Sequence, residues 1–385
     1  MKIAIPKERR AGELRVAASP DTVKKYIGFG FDVVVEKGAG LGSSVTDAAF
    51  EAAGAKIAKD AKATLSDADI VLKVQRPITA AEGTDELAHM KKGAVLIAGL
   101  SALVNPDQVK SYAEAGITAF AMELCPRITR AQSMDILSSQ ANLAGYRSVI
   151  DGAYEFGRAF PMMMTAAGTV PPAKILVLGA GVAGLQAIAT AKRMGAVVFA
   201  FDVRAAVKEQ VESLGGKFIV VDEEAMKSAE TSGGYAKEMG EEFKKKQAAA
   251  IHEQIKKTDI AICTALIPGK PAPVLITEEM VKDMKEGSVI VDLAVEMGGN
   301  CPISEKDKVV TKHGVKLVGY TNMSSRIATD ASVLYAKNLF NFISPLVDKE
   351  TKSLKINRED EIVKGTLLTI DGQVVHSAFT GEGGK

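Results

Sequence analysis

The chain has 385 residues, 47% hydrophobic and 25% charged, which is the balance of a globular protein long enough for two domains. Its formal net charge is +1, so no strong positive field is available to hold nucleic acid or an anionic membrane. No stretch approaches the roughly 20 uninterrupted apolar residues that a membrane helix needs, so we expect no direct membrane insertion.

Cysteine and histidine are sparse and scattered. The three cysteines (Cys125, Cys263 and Cys301) are far apart in the chain, which indicates reduced, buried thiols rather than a disulfide or zinc framework. The four histidines form no pair at the spacing of metal ligands. We therefore expect no metal site.

The first third of the chain alternates predicted strands and helices. The apolar residues of the strands run nearly continuously, as in parallel strands that are buried on both faces. The predicted strands are 1–5, 32–36, 69–74, 94–98 and 117–122. The predicted helices are 20–27 and 47–53, the second with Thr46 as its N-cap.

A long segment without proline, 133–156, predicts a helix that leads out of this first series. Pro171-Pro172 then marks a joint, because two prolines cannot lie inside a helix. An amphipathic helix at about 329–343 is expected to return to the first domain. Between the joint and that helix, strands are predicted at 174–178, 196–202, 217–221, 259–264, 288–292 and 315–320.

These elements predict the α/β class, with two Rossmann-like domains, each a mainly parallel sheet with helices on both faces, joined by long helices. The first domain is expected to comprise residues 1–135 together with about 325–385. A linking helix and joint span about 136–170, and the second domain spans 171–324.

Two segments depart from this alternation. The strongly charged segment at about 222–250 is either a solvated insertion or a mobile loop that closes over a cofactor. In the tail, Ile370-Asp371-Gly372-Gln373 predicts a β-hairpin, and the residues after about 380 are expected to fray.

Two glycine-rich runs follow predicted strands. The first, Gly38-Ala39-Gly40-Leu41-Gly42, precedes neither an apolar helix in the right phase nor an acidic residue at the right distance. It is therefore interpreted as a turn. The second, Gly179-Ala180-Gly181-Val182-Ala183-Gly184, has both features, as a dinucleotide-binding loop requires.

Each glycine of the second run has its own expected role. Gly179 permits the tight turn, Gly181 lets the backbone approach a pyrophosphate at the helix N-terminus, and Gly184 lets helix and strand pack closely. Asp202 ends the next strand, where a carboxylate accepts hydrogen bonds from the adenosine ribose and repels the 2′-phosphate of NADP. The run therefore predicts NAD(H) rather than NADP(H). Arg204 is a counter-signal, because NADP sites use a nearby arginine; beside Asp202 we expect it to stack on adenine or to contact phosphate.

Further runs carry a family resemblance. Three of them are Ile5-Pro6-Lys7-Glu8, Leu14-Arg15-Val16-Ala17 and Val71-Leu72-Lys73-Val74. The most specific is Pro126-Arg127-Ile128-Thr129-Arg130-Ala131-Gln132-Ser133-Met134-Asp135, followed by Ser138-Ser139 and Asn142-Leu143-Ala144-Gly145-Tyr146. Over nearly its whole length the sequence resembles the NAD(H)-binding component (domain I, alpha subunit) of proton-translocating nicotinamide nucleotide transhydrogenase. That family shares its fold, and the first three runs, with alanine dehydrogenase.

The departures from alanine dehydrogenase are informative. Arg15 and Lys73 are kept; in alanine dehydrogenase the residues at these positions hold the substrate carboxylate and carbonyl. Ser101 stands where that enzyme has its catalytic histidine. The acid that the alanine dehydrogenase pattern leads us to expect is Glu296 in this sequence. Oxidising an amine requires a group that exchanges protons near neutral pH, usually histidine, and Ser101 cannot do so. Hydride transfer between two nicotinamide rings moves no proton; it needs the rings at about 3–3.5 Å with water excluded. The change therefore favours direct transhydrogenation.

The resemblance also implies residue roles. Around the nicotinamide it places the run from Arg127 to Asp135, with Arg127, Gln132, Asp135 and Ser138 as the catalytic group. Thr129 stands where serine is frequent in the family. The remaining cofactor contacts that it implies are Ile128, Thr129, Arg130, Gly179, Gly181, Val182, Gly184, Asp202, Val203, Arg204 and Leu266, with Gly234, Tyr235 and Gln247 on the mobile loop.

The function implied is hydride transfer between NADH bound here and NADP+ bound on a partner domain, of the Re/Si-specific type. A separate membrane-spanning subunit would couple this transfer to proton translocation, and NADP(H) would lie only on the partner. We expect a homodimer, cytoplasmic and peripheral on the inner membrane face. Two alternatives remain open: an alanine-type amino-acid dehydrogenase that works alone, and a non-catalytic NAD-sensing module.

Overall fold

A computed structural model describes residues 1–227, 229, 237, 239–267 and 269–380. The chain divides into two compact units: unit 1 is Met1–Gln140 with Ser325–Lys385, and unit 2 is Ala141–Ser324. Among the described residues, no helix is long and apolar enough to cross a membrane.

The secondary structure of the described residues alternates as predicted. The strands are β1 (Lys2–Ile5), β2 (Asp32–Glu36), β3 (Lys56–Ala58), β4 (Ile70–Gln75), β5 (Val95–Gly99), β6 (Thr118–Ala121), β7 (Met163–Thr165), β8 (Gly168–Val170), β9 (Lys174–Leu178), β10 (Val197–Phe201), β11 (Lys217–Phe218), β12 (Ile260–Cys263), β13 (Val289–Asp292), β14 (Val309–Lys312), β15 (Val315–Val318), β16 (Val347–Asp348), β17 (Ser353–Leu354), β18 (Leu367–Ile370) and β19 (Gln373–Val374). The helices are α1 (Pro20–Gly28), α2 (Asp47–Ala52), α3 (Ala61–Leu65), α4 (Pro106–Glu114), α5 (Ile136–Glu155), α6 (Val182–Arg193), α7 (Lys208–Ser213), α8 (Glu223–Lys227), α9 (Glu241–Ile255), α10 (Glu278–Lys282), α11 (Ala328–Ile343), α12 (Glu361–Thr366) and α13 (Ser377–Thr380).

Unit 1 is built on one sheet in the order β3-β2-β1-β4-β5-β6-β18-β19. The six strands from β3 to β6 are parallel, and β18 and β19 add an antiparallel edge. The winding reverses between β1 and β4. A doubly wound sheet of this kind has its crevice at the carboxyl ends of the two strands where the order reverses.

Unit 2 repeats the same winding in the order β11-β10-β9-β12-β13-β15, with β14 antiparallel at the edge. When only the parallel strands of each sheet are numbered in chain order, both sheets run third, second, first, fourth, fifth, sixth. The reversal in unit 2 lies between β9 and β12. The fold of two mainly parallel Rossmann-like units is therefore confirmed.

The predicted helix cap and the predicted turns are present in the structure. The Thr46 hydroxyl accepts a hydrogen bond from the Ala49 N–H at 3.2 Å and caps α2. Asp371 and Gly372 have φ of 53° and 75°, which is the backbone of a type I′ turn, and they join β18 to β19. The run Gly38–Gly42 forms a turn and a short 3₁₀ helix.

Three features differ from the sequence-based expectation. The chain passes from unit 1 to unit 2 within α5, but it returns at residues 324–325, so the second long helix, α11, lies wholly in unit 1. The expected joint contains a hairpin, β7–β8. Its strands have three residues each, which is too short for the alternation of apolar and polar residues that predicts a strand. The charged segment 222–250 is not irregular in its described part, because α8 and the first two-thirds of α9 lie in it.

The second half of α5 packs on unit 2 through glycines. A Cβ on Gly145 would lie 2.0 Å from the Ala183 carbonyl oxygen in the first turn of α6, and one on Gly152 would lie 3.1 Å from Ile260 Cγ2 in β12. Only glycine permits such an approach of a helix to a neighbouring backbone. These contacts place the start of α6 against α5.

This approach predicts that Gly145→Ala lowers the thermal midpoint of unit 2. Alanine normally stabilises a helix relative to glycine, but here a backbone segment must move, at a cost of about 1–3 kcal/mol. Thermal unfolding followed by circular dichroism measures the effect. Gly157→Ala is the control, because its Cβ would meet no atom within 4 Å. A Gly145→Ala variant as stable as the parent would contradict the packing.

Candidate dinucleotide site

The loop after β9 begins with a glycine that its conformation requires. Gly179 has φ of 97°, in the left-handed region that side chains disfavour. Its N–H donates to the Phe201 carbonyl at 2.8 Å, and its own carbonyl accepts the Thr264 hydroxyl at 2.9 Å. The turn is thus bonded to both neighbouring strands, β10 and β12.

The other two glycines of the loop differ in what surrounds them. A Cβ on Gly184 would lie 1.8 Å from the Gly179 carbonyl oxygen, whereas one on Gly181 would meet no atom within 4 Å. Gly181 is the N-cap of α6 and provides no capping side chain. The first-turn N–H groups of α6 and the open face of Gly181 fit a pyrophosphate, since helix N-termini bind anions.

Asp202 follows β10 and is buried with its carboxylate hydrogen-bonded. Oδ2 accepts the Ala180 N–H at 2.8 Å and Oδ1 accepts the Arg204 N–H at 2.9 Å. The Arg204 side chain also binds this carboxylate, from Nε to Oδ1 at 2.9 Å and from Nη2 to Oδ2 at 2.7 Å. Arg204 is therefore engaged with Asp202 in this structure, and its expected contact with adenine or phosphate stays a prediction.

Of the remaining predicted residues of unit 2 that the structure describes, Val182 begins α6, Val203 and Leu266 lie on loops, and Gln247 lies on α9. Val182 and Leu266 are apolar yet exposed, at 38% and 47%, as expected of side chains that a ligand covers. Val203 and Gln247 are half-buried, the latter on α9. Gly234 and Tyr235 lie outside the described residues.

In unit 1 the predicted run forms a 3₁₀ helix, Thr129–Met134. Ala131 and Met134 are buried and anchor it. From α11, Asn338 and Asn341 donate side-chain N–H groups to the Ser133 carbonyl at 2.9 and 3.1 Å. The side chains that face solvent are those of Arg127, Thr129, Arg130 and Gln132, while Ile128 is half-buried.

Asp135 and Ser138 form a cap at the start of α5. The Asp135 carboxylate accepts the Ser138 N–H at 2.9 Å and also its hydroxyl. Arg130 forms a bidentate pair with Asp360, both distances being 2.9 Å, and Asp360 in turn caps α12 through the Ile362 N–H. Three of the predicted site residues, Arg130, Asp135 and Ser138, thus form hydrogen bonds within the protein.

A buried cluster of charged residues lies near the point where the winding of unit 1 reverses. The Lys73 ammonium lies 3.1 Å from Glu8 and 3.2 Å from Glu86, all three side chains being buried. Glu8 also accepts the Val74 N–H at 2.6 Å, which bridges the ends of β1 and β4. Burial raises the pKa of Glu8, although Lys73 opposes the shift.

Arg15 has a partner of its own in the same unit. Its guanidinium binds both carboxylate oxygens of Glu13, at 2.8 and 2.7 Å, and also the Gln140 side chain at 2.8 Å. Burial raises the pKa of Glu13, but the hydrogen bonds from Arg15 outweigh it and lower the pKa to about 2.

Ser101 occupies a tight turn after β5, with φ of 49°. The half-buried Glu123 accepts the N–H groups of Leu100 and Ala102 on its carboxylate, both at 2.9 Å. Burial raises the pKa of Glu123. Glu296, in unit 2, is exposed and pairs with Lys306 at 3.3 Å. Among the described residues, no group of three or more histidine, cysteine, aspartate or glutamate side chains could hold a metal ion.

Sequence reasoning missed residues that build the site without touching a ligand. Thr264 fastens Gly179, and Asn300 holds the next loop by accepting the Ala265 N–H and donating to the carbonyls of Ala265 and Pro273. Thr264 was detectable as the residue just after a strand at the reversal point. Asn300 carries no such signal, because it lies 35 residues from its partner.

Two family models match the chain. They are the N-terminal domain of alanine dehydrogenase/PNT, over residues 4–144, and its C-terminal domain, over residues 148–377. The chain belongs to the alanine dehydrogenase/PNT family.

Within the alanine dehydrogenase/PNT family, the chain is more similar to transhydrogenases than to alanine dehydrogenases. It is 71% identical, over 100% of both chains, to a Rhodospirillum rubrum protein that bears the name of an NAD(P) transhydrogenase alpha subunit. A solved transhydrogenase from Sinorhizobium meliloti has 54% identity and a TM-score of 0.86, covering 97% of this chain and 100% of its own. A solved L-alanine dehydrogenase has 26% identity and a TM-score of 0.82, covering 99% and 98%.

The two inner glycines of the loop predict separable effects. Gly184→Ala should lower the thermal midpoint, because the backbone at Gly179 or α6 must move, at a cost of about 1–3 kcal/mol. Gly181→Ala should leave the midpoint unchanged but weaken NADH binding by about tenfold or more, because a methyl group would block the approach of the pyrophosphate. Thermal unfolding and titration of NADH fluorescence measure both. NADH binding by Gly181→Ala at parental affinity would refute this placement of the pyrophosphate.

Proposed function

We propose that this chain is the NAD(H)-binding component of an NAD(P) transhydrogenase. It takes part in direct hydride transfer from NADH bound here to NADP+ bound on a partner domain. A separate membrane component couples the transfer to proton translocation. The observation that carries the proposal is the loop of unit 2, in which Gly181 is open at the start of α6 and the Asp202 carboxylate lies at the end of the adjacent strand.

Unit 2 supplies the binding groups. The N–H groups at the start of α6 hold the pyrophosphate, with Gly181 and Val182 as the nearest backbone. Asp202 accepts hydrogen bonds from the adenosine ribose hydroxyls. Leu266 and Val203 provide apolar surface beside this loop. When bound, the nicotinamide cofactor supplies the hydride, and the protein contributes binding and orientation.

Unit 1 supplies the orienting groups. The exposed side chains of Arg127 and Gln132 contact the nicotinamide carboxamide and ribose region. Asp135 and Ser138 hold the turn that carries them, through the cap at the start of α5. Because this turn is held by hydrogen bonds, its side chains would restrict the orientations open to a bound nicotinamide ring. Orienting the reacting groups in this way is a large part of catalysis.

Amino-acid oxidation is less well supported. Ser101 bears a hydroxyl that does not exchange protons near neutral pH. Glu123, which lies against the same turn, uses its oxygens to accept backbone N–H groups. Transfer of a hydride between two rings requires no proton acceptor, so the residues present fit that reaction.

The assembly follows from the same proposal. NADP(H) lies only on the partner domain, and the chain reaches the cytoplasmic face of the inner membrane through its partners. A homodimer agrees with the exposed hairpin β7–β8, where Met162, Met163 and Met164 are 59%, 43% and 80% exposed. Exposed apolar side chains in one cluster are typical of protein interfaces.

Reconstitution provides the direct test. The purified chain, mixed with the NADP(H)-binding partner domain and NADH, should reduce an NADP+ analogue at a rate that depends on both proteins. Gln132→Asn shortens a contact side chain by one methylene group and should slow the transfer by about ten- to a hundredfold, with NADH affinity largely kept. Absorbance of the reduced analogue gives the rate.

The matched control is Gln373→Asn, the same change at an exposed site in β19, which should transfer hydride at the parental rate. If a folded partner and the parent chain give no transfer, the proposed function is wrong. If Gln132→Asn matches the parent, Gln132 leaves the catalytic group while the function stands.

A second prediction separates the two enzymes of the family. The purified chain with alanine and NAD+ should produce no NADH, because Ser101 replaces the proton-exchanging histidine. A spectrophotometric assay at 340 nm suffices, with an authentic alanine dehydrogenase as positive control. Steady NADH formation by the chain alone would establish the dehydrogenase instead. An NAD-sensing module would bind NADH yet give no exchange with any NADP(H)-binding domain.

A further inference from the structure

We propose that Arg204 is a latent ligand for the 2′-phosphate of NADP(H), and that Asp202 prevents this by binding its guanidinium. Selectivity for NAD(H) then rests on the pair and not on the carboxylate alone. The inference depends on the NAD(H) site of the proposed function and names the residue that sets its specificity.

The geometry of the pair supports this role. Asp202 and Arg204 are joined by two side-chain hydrogen bonds, Nε to Oδ1 at 2.9 Å and Nη2 to Oδ2 at 2.7 Å. Their side chains are only 6% and 14% exposed, so water screens the pair little. The arginine is two residues past the strand end at which the adenosine ribose is bound in folds of this type.

A guanidinium presents a planar fork of N–H donors that matches a carboxylate and a phosphate equally well. The oxygens of Asp202 therefore take the place that phosphate oxygens would take on Arg204. The carboxylate disfavours NADP(H) in two ways: it repels the phosphate, and it occupies the guanidinium of Arg204, which could otherwise bind the phosphate.

Asp202→Asn removes both effects with little change of shape. One side-chain oxygen remains to accept the Ala180 N–H, which Asp202 binds at 2.8 Å. The new amide NH₂ group then faces the N–H donors of Arg204, and donors that face each other repel. The remaining oxygen still faces Arg204 Nη2, but the ionic pair and the hydrogen bond from Nε are lost. The arginine is then held less tightly and can turn to a phosphate, while the turn at Ala180 keeps its hydrogen bond.

The experiment is titration of the full-length chain with NADH and, separately, NADPH, followed by nicotinamide fluorescence. The parent should bind NADH much more tightly. Asp202→Asn should weaken NADH binding and strengthen NADPH binding by about tenfold or more, the effect of one charge-assisted contact. The double variant Asp202→Asn with Arg204→Gln should lose that gain.

The matched control combines Asp202→Asn with Arg193→Gln. Arg193 is exposed in the last turn of α6, about 17 Å along the helix from its first residue. This double variant removes the same charge but should keep the gain in NADPH affinity. A loss of the gain here as well would mean that only the net charge matters, and would overturn the proposal.

Two further results would overturn it: no gain in NADPH affinity by Asp202→Asn, or a gain that survives Arg204→Gln. If Asp202→Asn fails to fold by circular dichroism, Asp202→Ser carries the same test with the same criteria, since its hydroxyl is smaller and carries no charge. Failure of the parent to bind NADH would instead refute the NAD(H) site, and so separates the two proposals.

Discussion

The first turn of α6 packs with no side chain between it and its neighbours. On one side Gly184 lies against the Gly179 carbonyl, and on the other the Ala183 carbonyl lies against Gly145 of α5. A methyl group at either glycine would come within 2.0 Å of a carbonyl oxygen. Because this contact sets where α6 begins, it also sets where the N–H groups at its start point. Helix N-termini bind anions through such N–H groups, so the proposed pyrophosphate site depends on that direction.

Asp202 links this turn to the end of β10, where we propose that the adenosine ribose binds. Its carboxylate accepts the Ala180 N–H of the loop, together with backbone and side-chain N–H groups of Arg204. One buried group therefore closes the loop, orients an arginine and presents negative charge at the end of β10. The same carboxylate therefore holds the loop and is the group on which the proposed selectivity for NAD(H) depends.

The two units share one winding order but differ in what lies near the point where it reverses. In unit 2 a glycine turn leaves a helix N-terminus open to a ligand. In unit 1 the ends of β1 and β4 are bridged by Glu8, with Lys73 buried between Glu8 and Glu86. Burying these charges is tolerable only because they are paired and hydrogen-bonded. The same fold thus carries the proposed ligand site in one unit and an internal ionic cluster in the other.

The sequence alone determined the two-unit α/β fold, the loop that begins at Gly179, the cap at Thr46 and the hairpin at Asp371, because each depends on residues close together in the chain. It did not predict short elements such as β3 and α3, which span too few residues to show a period. Only the tertiary structure decided that Arg130 pairs with Asp360, 230 residues away, and that Gly145 meets Ala183. Partners such as Arg130 with Asp360 are selected by how distant segments pack, and no local pattern records that choice. Arg204 lies between the two cases: its partner Asp202 is only two residues away in the chain, but only the structure showed that their side chains form two hydrogen bonds.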